Sequence, residues 1–179
     1  MSDNPDIRQR RSLRLKGYDY SQDGAYFVTI CAHGRECLFG EVIGSEMKMD
    51  EIGRKVQAVW DDLPIHYPHI ATDAFVVMPN HVHGVIAIRA GLKPAPTKRH
   101  GLSEIVRAFK TFSARRINEF RKTSGALVWQ RNYYDHVIRN DTDYNRIAEY
   151  VANNPQRWME DSLYPDAIGF PPRKKLRQP

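Results

Sequence analysis

Apolar positions along this chain follow two rhythms. Short runs rich in β-branched and aromatic residues predict strands at Ala25–Ala32, Asp73–Val77 and His81–Arg89. Glu41–Met49 predicts another strand, with Gly40 and Gly44 as turns or bulges. The spacing becomes helical at Ile52, Val56, Val59 and Leu63, with Asp50 as N-cap and Pro64 as terminator. It is helical again over roughly Leu102–Phe120. There Leu102, Ile105, Val106, Phe109, Phe112, Ile117 and Phe120 are expected to face inward, and Arg107, Lys110, Arg115, Arg116 and Arg121 outward. Tyr133–Arg139 predicts the last strand. A final helix follows, capped by Asp141 or Thr142 and limited by Pro155, with Tyr144, Ile147, Ala148 and Val151 as its buried stripe. Met78-Pro79-Asn80 forms a tight connection, Ala90–Gly101 a flexible link and Pro171–Pro179 a disordered tail. This order predicts an α+β sandwich: a mostly antiparallel sheet with two main helices packed against it.

Composition narrows the class. The 179 residues amount to one ordinary domain, and 41% hydrophobic with 27% charged content are globular values. No apolar run approaches the ~20 residues that span a bilayer, and the polar, Arg-rich start does not read as a secretory signal. Cys31 and Cys37 have no second pair, so neither a zinc cage nor a disulfide framework is expected, and the cytoplasm is the simplest home. The net charge of +6 is unevenly distributed. A basic N-terminal arm, 1–16, carries Arg8, Arg10, Arg11, Arg14 and Lys16; the tail, 159–179, carries Arg173, Lys174, Lys175 and Arg177. Within the intervening domain, 17–158, the stretch 89–131 holds eleven basic residues against only Glu104 and Glu119. Segregated positive charge of this kind favours a polyanion, and nucleic acid is the obvious one.

Two motifs carry candidate chemistry. On a strand, residues i and i+2 share a face, so His81 and His83 would stand side by side, a half-site for a divalent metal. In the last helix, Tyr150 lies at the margin of the buried stripe. Asn154, four residues on, shares nearly its bearing at roughly 100° per residue. One helix edge thus offers a phenol and an amide together, while Asn153 points away. Each motif has an ordinary structural reading: packed histidines in the first case, an interface tyrosine in the second.

Together they resemble the HUH single-tyrosine transposases (the IS200-like transposase domain) and, more narrowly, the REP-associated tyrosine transposase-like group. The resemblance is carried by Arg14-Leu15-Lys16-Gly17-Tyr18-Asp19-Tyr20, Ala25-Tyr26-Phe27-Val28-Thr29-Ile30, Met78-Pro79-Asn80-His81-Val82-His83, Trp129-Gln130, Tyr134-Asp135-His136-Val137-Ile138-Arg139 and Tyr150-Val151-Ala152-Asn153-Asn154-Pro155, in the family's order from about Arg11 to Trp158. It implies a ferredoxin-like antiparallel sheet with the histidine strand central, two packed helices and a C-terminal helix carrying the tyrosine. It also implies a metal-dependent endonuclease and strand transferase acting on single-stranded or hairpin DNA through a covalent 5′-phosphotyrosine. His81, His83 and Asn154 would hold Mg²⁺ or Mn²⁺, of which Mn²⁺ tolerates imidazole better, and Tyr150 would attack phosphorus. Insertion-sequence members commonly have Gln where this chain has Asn154, which is one methylene shorter.

Other residues compete for roles. Tyr133 and Tyr134 are alternative nucleophiles. Asn80 and His136 are candidates to support the site from behind. Trp129 and Tyr18 could stack on bases, with burial the more ordinary fate of Trp129. The arm and Arg107, Lys110, Arg115 and Arg116 would contact phosphates, which position DNA without reading its sequence. A hairpin-binding protein without catalysis, and a metal protein unrelated to DNA, are the other readings. Monomer and homodimer stay open.

Overall fold

The computed structural model describes residues 18–89 and 100–165. The arm residues Arg8, Arg10, Arg11, Arg14 and Lys16, nearly all of the Ala90–Gly101 link and the basic tail residues lie outside these. Four antiparallel strands form the central sheet: β1 (Gly24–Cys31), β4 (Ile70–Met78), β5 (His81–Ile88) and β6 (Tyr134–Ile138), in the order β4-β5-β1-β6. Helix α1 (Glu51–His66) connects β1 to β4 and α2 (Leu102–Arg121) connects β5 to β6. This is the expected ferredoxin-like βαββαβ arrangement, with the histidine strand β5 in the interior. A third helix, α3 (Asp141–Asn153), follows β6 and leads into a 3₁₀ segment, Pro155–Glu160.

Alternation along the strands assigns each residue to one of two layers. Tyr26, Val28 and Ile30 of β1, with Val82 and Ile86 of β5, pack against Val56, Trp60 and Leu63 of α1 and Leu102, Ile105, Val106 and Phe109 of α2. The opposite parity, Phe27 and Val85, packs against Ile147 and Val151 of α3 in a much smaller cluster. His81, His83 and Thr29 share that second face, with Thr29 directly opposite His83 in the β1–β5 register. Behind the histidines, Gly84 is required: a Cβ there would come within 2.5 Å of the Trp60 ring, which itself stacks on Phe75 at 4.2 Å.

Several local expectations are revised. Glu41–Met49 is a hairpin, β2 (Gly40–Ile43) and β3 (Glu46–Met49), because Gly44 and Ser45 both take positive φ (56° and 68°), the signature of a tight two-residue turn. Asp50 does cap α1, its Oδ1 accepting from the Ile52 and Gly53 amides. Pro64, however, lies inside the helix, which runs on to His66; its φ is helical by construction and it forfeits only one backbone bond near the helix end. Phe112 and Phe120, expected inward, are 47% and 49% exposed. The buried stripe of α2 instead passes through Ser113, whose hydroxyl donates to the Phe109 carbonyl and accepts from the Trp129 indole at 2.9 Å. Trp129 is accordingly buried. The cap of α3 is Asn140, whose Oδ1 accepts from the Asp143 amide; Asp141 is the first helical residue. Trp158 lies within the 3₁₀ segment, and beyond it Asp161 and Leu163 approach the His81 end of β5.

Candidate active site

Three elements converge at the end of the sheet where β4 turns into β5. Met78 and His81 pair across the Pro79-Asn80 turn, so the first histidine begins its strand beside the turn asparagine. The Asn80 amide nitrogen donates to the carbonyls of Arg35 (3.2 Å) and Leu163 (2.8 Å). Two carbonyl acceptors on that nitrogen fix the orientation of the amide, leaving Asn80 Oδ1 facing His81 Nδ1 at 2.8 Å. An amide oxygen only accepts, so His81 carries its hydrogen on Nδ1 and turns a bare Nε2 into the site. That Nε2 lies 3.0 Å from His83 Nε2. His83 Nδ1 is held at 2.8 Å by the Thr29 hydroxyl, which can donate or accept and so permits either His83 tautomer.

Both imidazoles are buried. Burial pushes His81 down to about 3, with Arg35 adding to the effect. His83 is driven well below its ordinary value, first by burial and then by His81, against the opposing charge of Asp161. Both are therefore neutral at pH 7 and available as donors to a cation.

Helix α3 brings Tyr150 over this pair. Its Oη lies 3.2 Å from His83 Nε2, and its ring packs edge-on to both His83 and Phe27. The residue is 42% exposed, so a substrate can reach the phenol. Burial and the charge of Asp161 raise the phenol above its ordinary value, while a hydrogen bond from the Asn154 amide lowers it. Asn154, one turn along, is buried at the junction of α3 with the 3₁₀ segment. Its Nδ2 donates to Asp161 Oδ2 at 3.4 Å. Its Oδ1 is the buried side-chain oxygen that has no hydrogen-bond partner among the described residues.

Sequence reasoning passed over Asp161. Its carboxylate lies 3.9 Å from His81 Nε2, and the donor atoms of His81, His83 and Asp161 fall within 4.8 Å of one another. Asp161 is delivered by the turn after the 3₁₀ segment and held there by the Leu163 amide, which donates to its Oδ1 at 2.7 Å. Trp158, beside the His81 ring, anchors the segment. A lone Asp after an aperiodic stretch carries no motif; the one available signal was Pro155, which ends α3 early enough for the chain to turn back. Thr29 was missed too, although its place opposite His83 follows from strand pairing.

Two imidazole nitrogens and a carboxylate oxygen within 4.8 Å of one another suit a divalent cation, and the neighbouring Asn154 carries an orphaned buried oxygen, which is costly unless something of opposite charge approaches it. The residues fit a metal.

The other candidates are distributed differently. His136 Nε2 lies 2.8 Å from Asp143 Oδ2 in the first turn of α3, and Tyr144 donates to Asp73 at 2.7 Å. These contacts pin the helix that bears Tyr150. Tyr133 packs against the larger core, and Tyr134 is exposed on β6. Lys110 is turned inward, its amine donating to the carbonyls of Gln130 and Arg131, and burial lowers its pKa. Arg107 and Arg115 are exposed, and Arg116 pairs with Asp62 at 2.8 Å. All four belong to α2, across the sheet from the histidines. Tyr18 packs beside Tyr20 and Tyr26. No helix among the described residues is long and apolar enough to cross a membrane.

A histidine pair on an inner strand thus faces a tyrosine on α3, the helix that follows β6. Residues 49–154 match the model of the IS200-like transposases, and the chain belongs to that family. It is 41% identical to an uncharacterized protein of Haemophilus influenzae over 91% of this chain and 97% of that one. A second protein of that organism, bearing the provisional name REP-associated tyrosine transposase, is 22% identical over 89% of this chain and 95% of its own length. A solved structure of a REP-associated tyrosine transposase bound to a REP hairpin shares the fold, with a TM-score of 0.57 and 19% identity over 89% of this chain and 88% of that one.

Proposed function

We propose that this protein cleaves and rejoins single-stranded DNA beside a hairpin, through a covalent bond between Tyr150 and a 5′ phosphate. The observation that carries the reading is the placement of Tyr150 Oη 3.2 Å from His83 Nε2, in a site where the bare Nε2 of His81 lies 3.0 Å further on. Tyr150 Oη attacks the phosphorus; the Tyr–O–P bond forms as the P–O3′ bond breaks, and the proton of the phenol is matched by the one taken up on the departing 3′-hydroxyl. The phosphotyrosine retains a phosphodiester, so a 3′-hydroxyl can reverse the attack and move the strand. His81, His83 and Asn154 would hold a divalent cation, Mg²⁺ or Mn²⁺, which when bound supplies positive charge toward the phosphate oxygens. The Asn154 amide donor stabilises the phenolate, and Asn80 and Thr29 keep the imidazoles oriented. His136 acts only through α3.

A hairpin substrate is supported by the family and by the hairpin held in the neighbour of the same fold. The exposed arginines of α2, Arg107 and Arg115, are proposed to contact phosphates on the side of the sheet away from the chemistry, together with the arm residues.

The test is covalent capture. Labelled hairpin oligonucleotides with single-stranded flanks are incubated with the protein and Mn²⁺ or Mg²⁺, then denatured and resolved. A denaturation-resistant adduct is expected, abolished by Tyr150→Phe and by chelator. An adduct that survives Tyr150→Phe moves the nucleophile to Tyr134 or Tyr133. Tight hairpin binding with no adduct overturns catalysis.

A further inference from the structure

Asp161 belongs to neither motif that identifies the site, yet its carboxylate is directed at the histidine pair. Its side chain is 7% exposed beside a fully buried imidazole. Oδ1 has a good donor, the Leu163 amide at 2.7 Å; among the described residues Oδ2, the oxygen turned toward His81, has only the long 3.4 Å contact from Asn154. His81 cannot supply the missing hydrogen, because Asn80 holds it on the other nitrogen. An anionic oxygen so poorly matched and so little hydrated is costly, and a cation between it and the two Nε2 atoms removes the cost.

Asn154 fits the same account. Its amide nitrogen reaches toward Asp161 and Tyr150, and its oxygen is left unpartnered. The amide thus links the carboxylate to the phenol.

We propose that Asp161 is a protein ligand of the divalent cation, alongside His81 and His83. This rests on the metal-dependent reading above and adds an anionic ligand to an otherwise neutral set. The consequence is a site of lower net charge and tighter hold on the ion, assembled only when residues 155–163 lie across the end of the sheet. Asn80, bonded to both His81 and the Leu163 carbonyl, ties this segment to the first histidine.

The experiment is titration of the full-length, DNA-free protein with MnCl₂, following free Mn²⁺ by electron paramagnetic resonance. Wild type, Asp161→Asn and Asp161→Ala are compared, and their metal-free thermal melts are recorded. Asp161→Asn is near-isosteric, keeps an oxygen for the Leu163 amide and removes the uncompensated charge, so its metal-free melt should be no lower than that of wild type. Affinity for Mn²⁺ is expected to fall roughly 10- to 100-fold in both variants, on the scale of losses around metal sites. Nitrogen couplings from the two imidazoles should persist in the ion that still binds. Asp161→Asn binding Mn²⁺ within twofold of wild type would overturn the assignment while leaving the metal-dependent reading intact. A wild-type protein that binds no Mn²⁺ overturns both.

Discussion

On one face of the sheet, Tyr26, Trp60 and Phe109 sit within a continuous apolar core sealed by α1 and α2. On the other, among the described residues, Phe27, Val85, Ile147 and Val151 make up the buried apolar cluster, and imidazoles, amides, a phenol and a carboxylate take the remaining area. Odd and even residues of the same strand serve these two environments: Val82 and Ile86 anchor β5 while His81 and His83 face the chemistry. The difference teaches how a buried pair of neutral histidines is tolerated. Hydrophobic burial on one side offsets desolvation on the other, and α3 is held by polar pins that bring Tyr150 into place with little apolar contact.

The comparison can be broken by mutation. Phe109→Ala should cost about 3–5 kcal/mol, the usual range for removing a buried aromatic, measured by denaturant unfolding. Covalent capture per folded molecule should be unchanged at permissive temperature. A loss of capture with intact folding would mean that the two faces are not separable.

Acid should act from the other side. Both histidines have folded-state pKa values below the unfolded value near 6.5, so the unfolded chain binds more protons and stability falls as pH drops through 6.5. Between pH 7 and 5.5 the pair should account for about 2–3 kcal/mol of lost stability, taking both as unprotonated in the fold over that window. The check is urea unfolding in chelator at several pH values. His83→Leu should remove about half of this slope; an unchanged slope would show that the imidazoles are not the titrating groups.

The smallest effect is expected at the pins. Tyr144→Phe removes the bond to Asp73 at an exposed site and should cost about 0.5–1 kcal/mol, again by urea unfolding. A loss rivalling that of Phe109→Ala would show that α3 depends on this contact far more than its apolar partners suggest.

Periodicity explains which parts of this arrangement were legible in the sequence. His81 and His83 alternate with buried Val82, and Tyr150 and Asn154 stand one turn apart, so regular backbone geometry alone brings each pair to one face. The ferredoxin-like order came from the resemblance; hydrophobic pattern alone gave strands, helices and an α+β class. Phe112 lies about 80° from the bearing of Leu102, off the α2 stripe that runs through the polar Ser113, whereas Phe120 keeps that bearing but stands in the last turn of the helix, where it is half exposed. Asn140 replaced Asp141 as cap because either side chain can accept an amide hydrogen, and strand pairing decided where β6 ended. Asp161 was invisible for a different reason. It approaches the histidines through a 3₁₀ segment and a turn, in which no repeat relates sequence position to direction.

Gly84 bears on a different question, that of portability. The clearance at this glycine, where an added methyl would strike Trp60, makes the histidine strand inseparable from the indole behind it. Anyone grafting His81-Val82-His83 onto another scaffold would have to carry Gly84, Trp60 and Phe75 along as a unit. A host strand with alanine at that position would either bow away from its helix or misdirect the second imidazole. The transferable element is therefore a strand with its backing, a two-sided part whose invisible half sets the aim of the visible one.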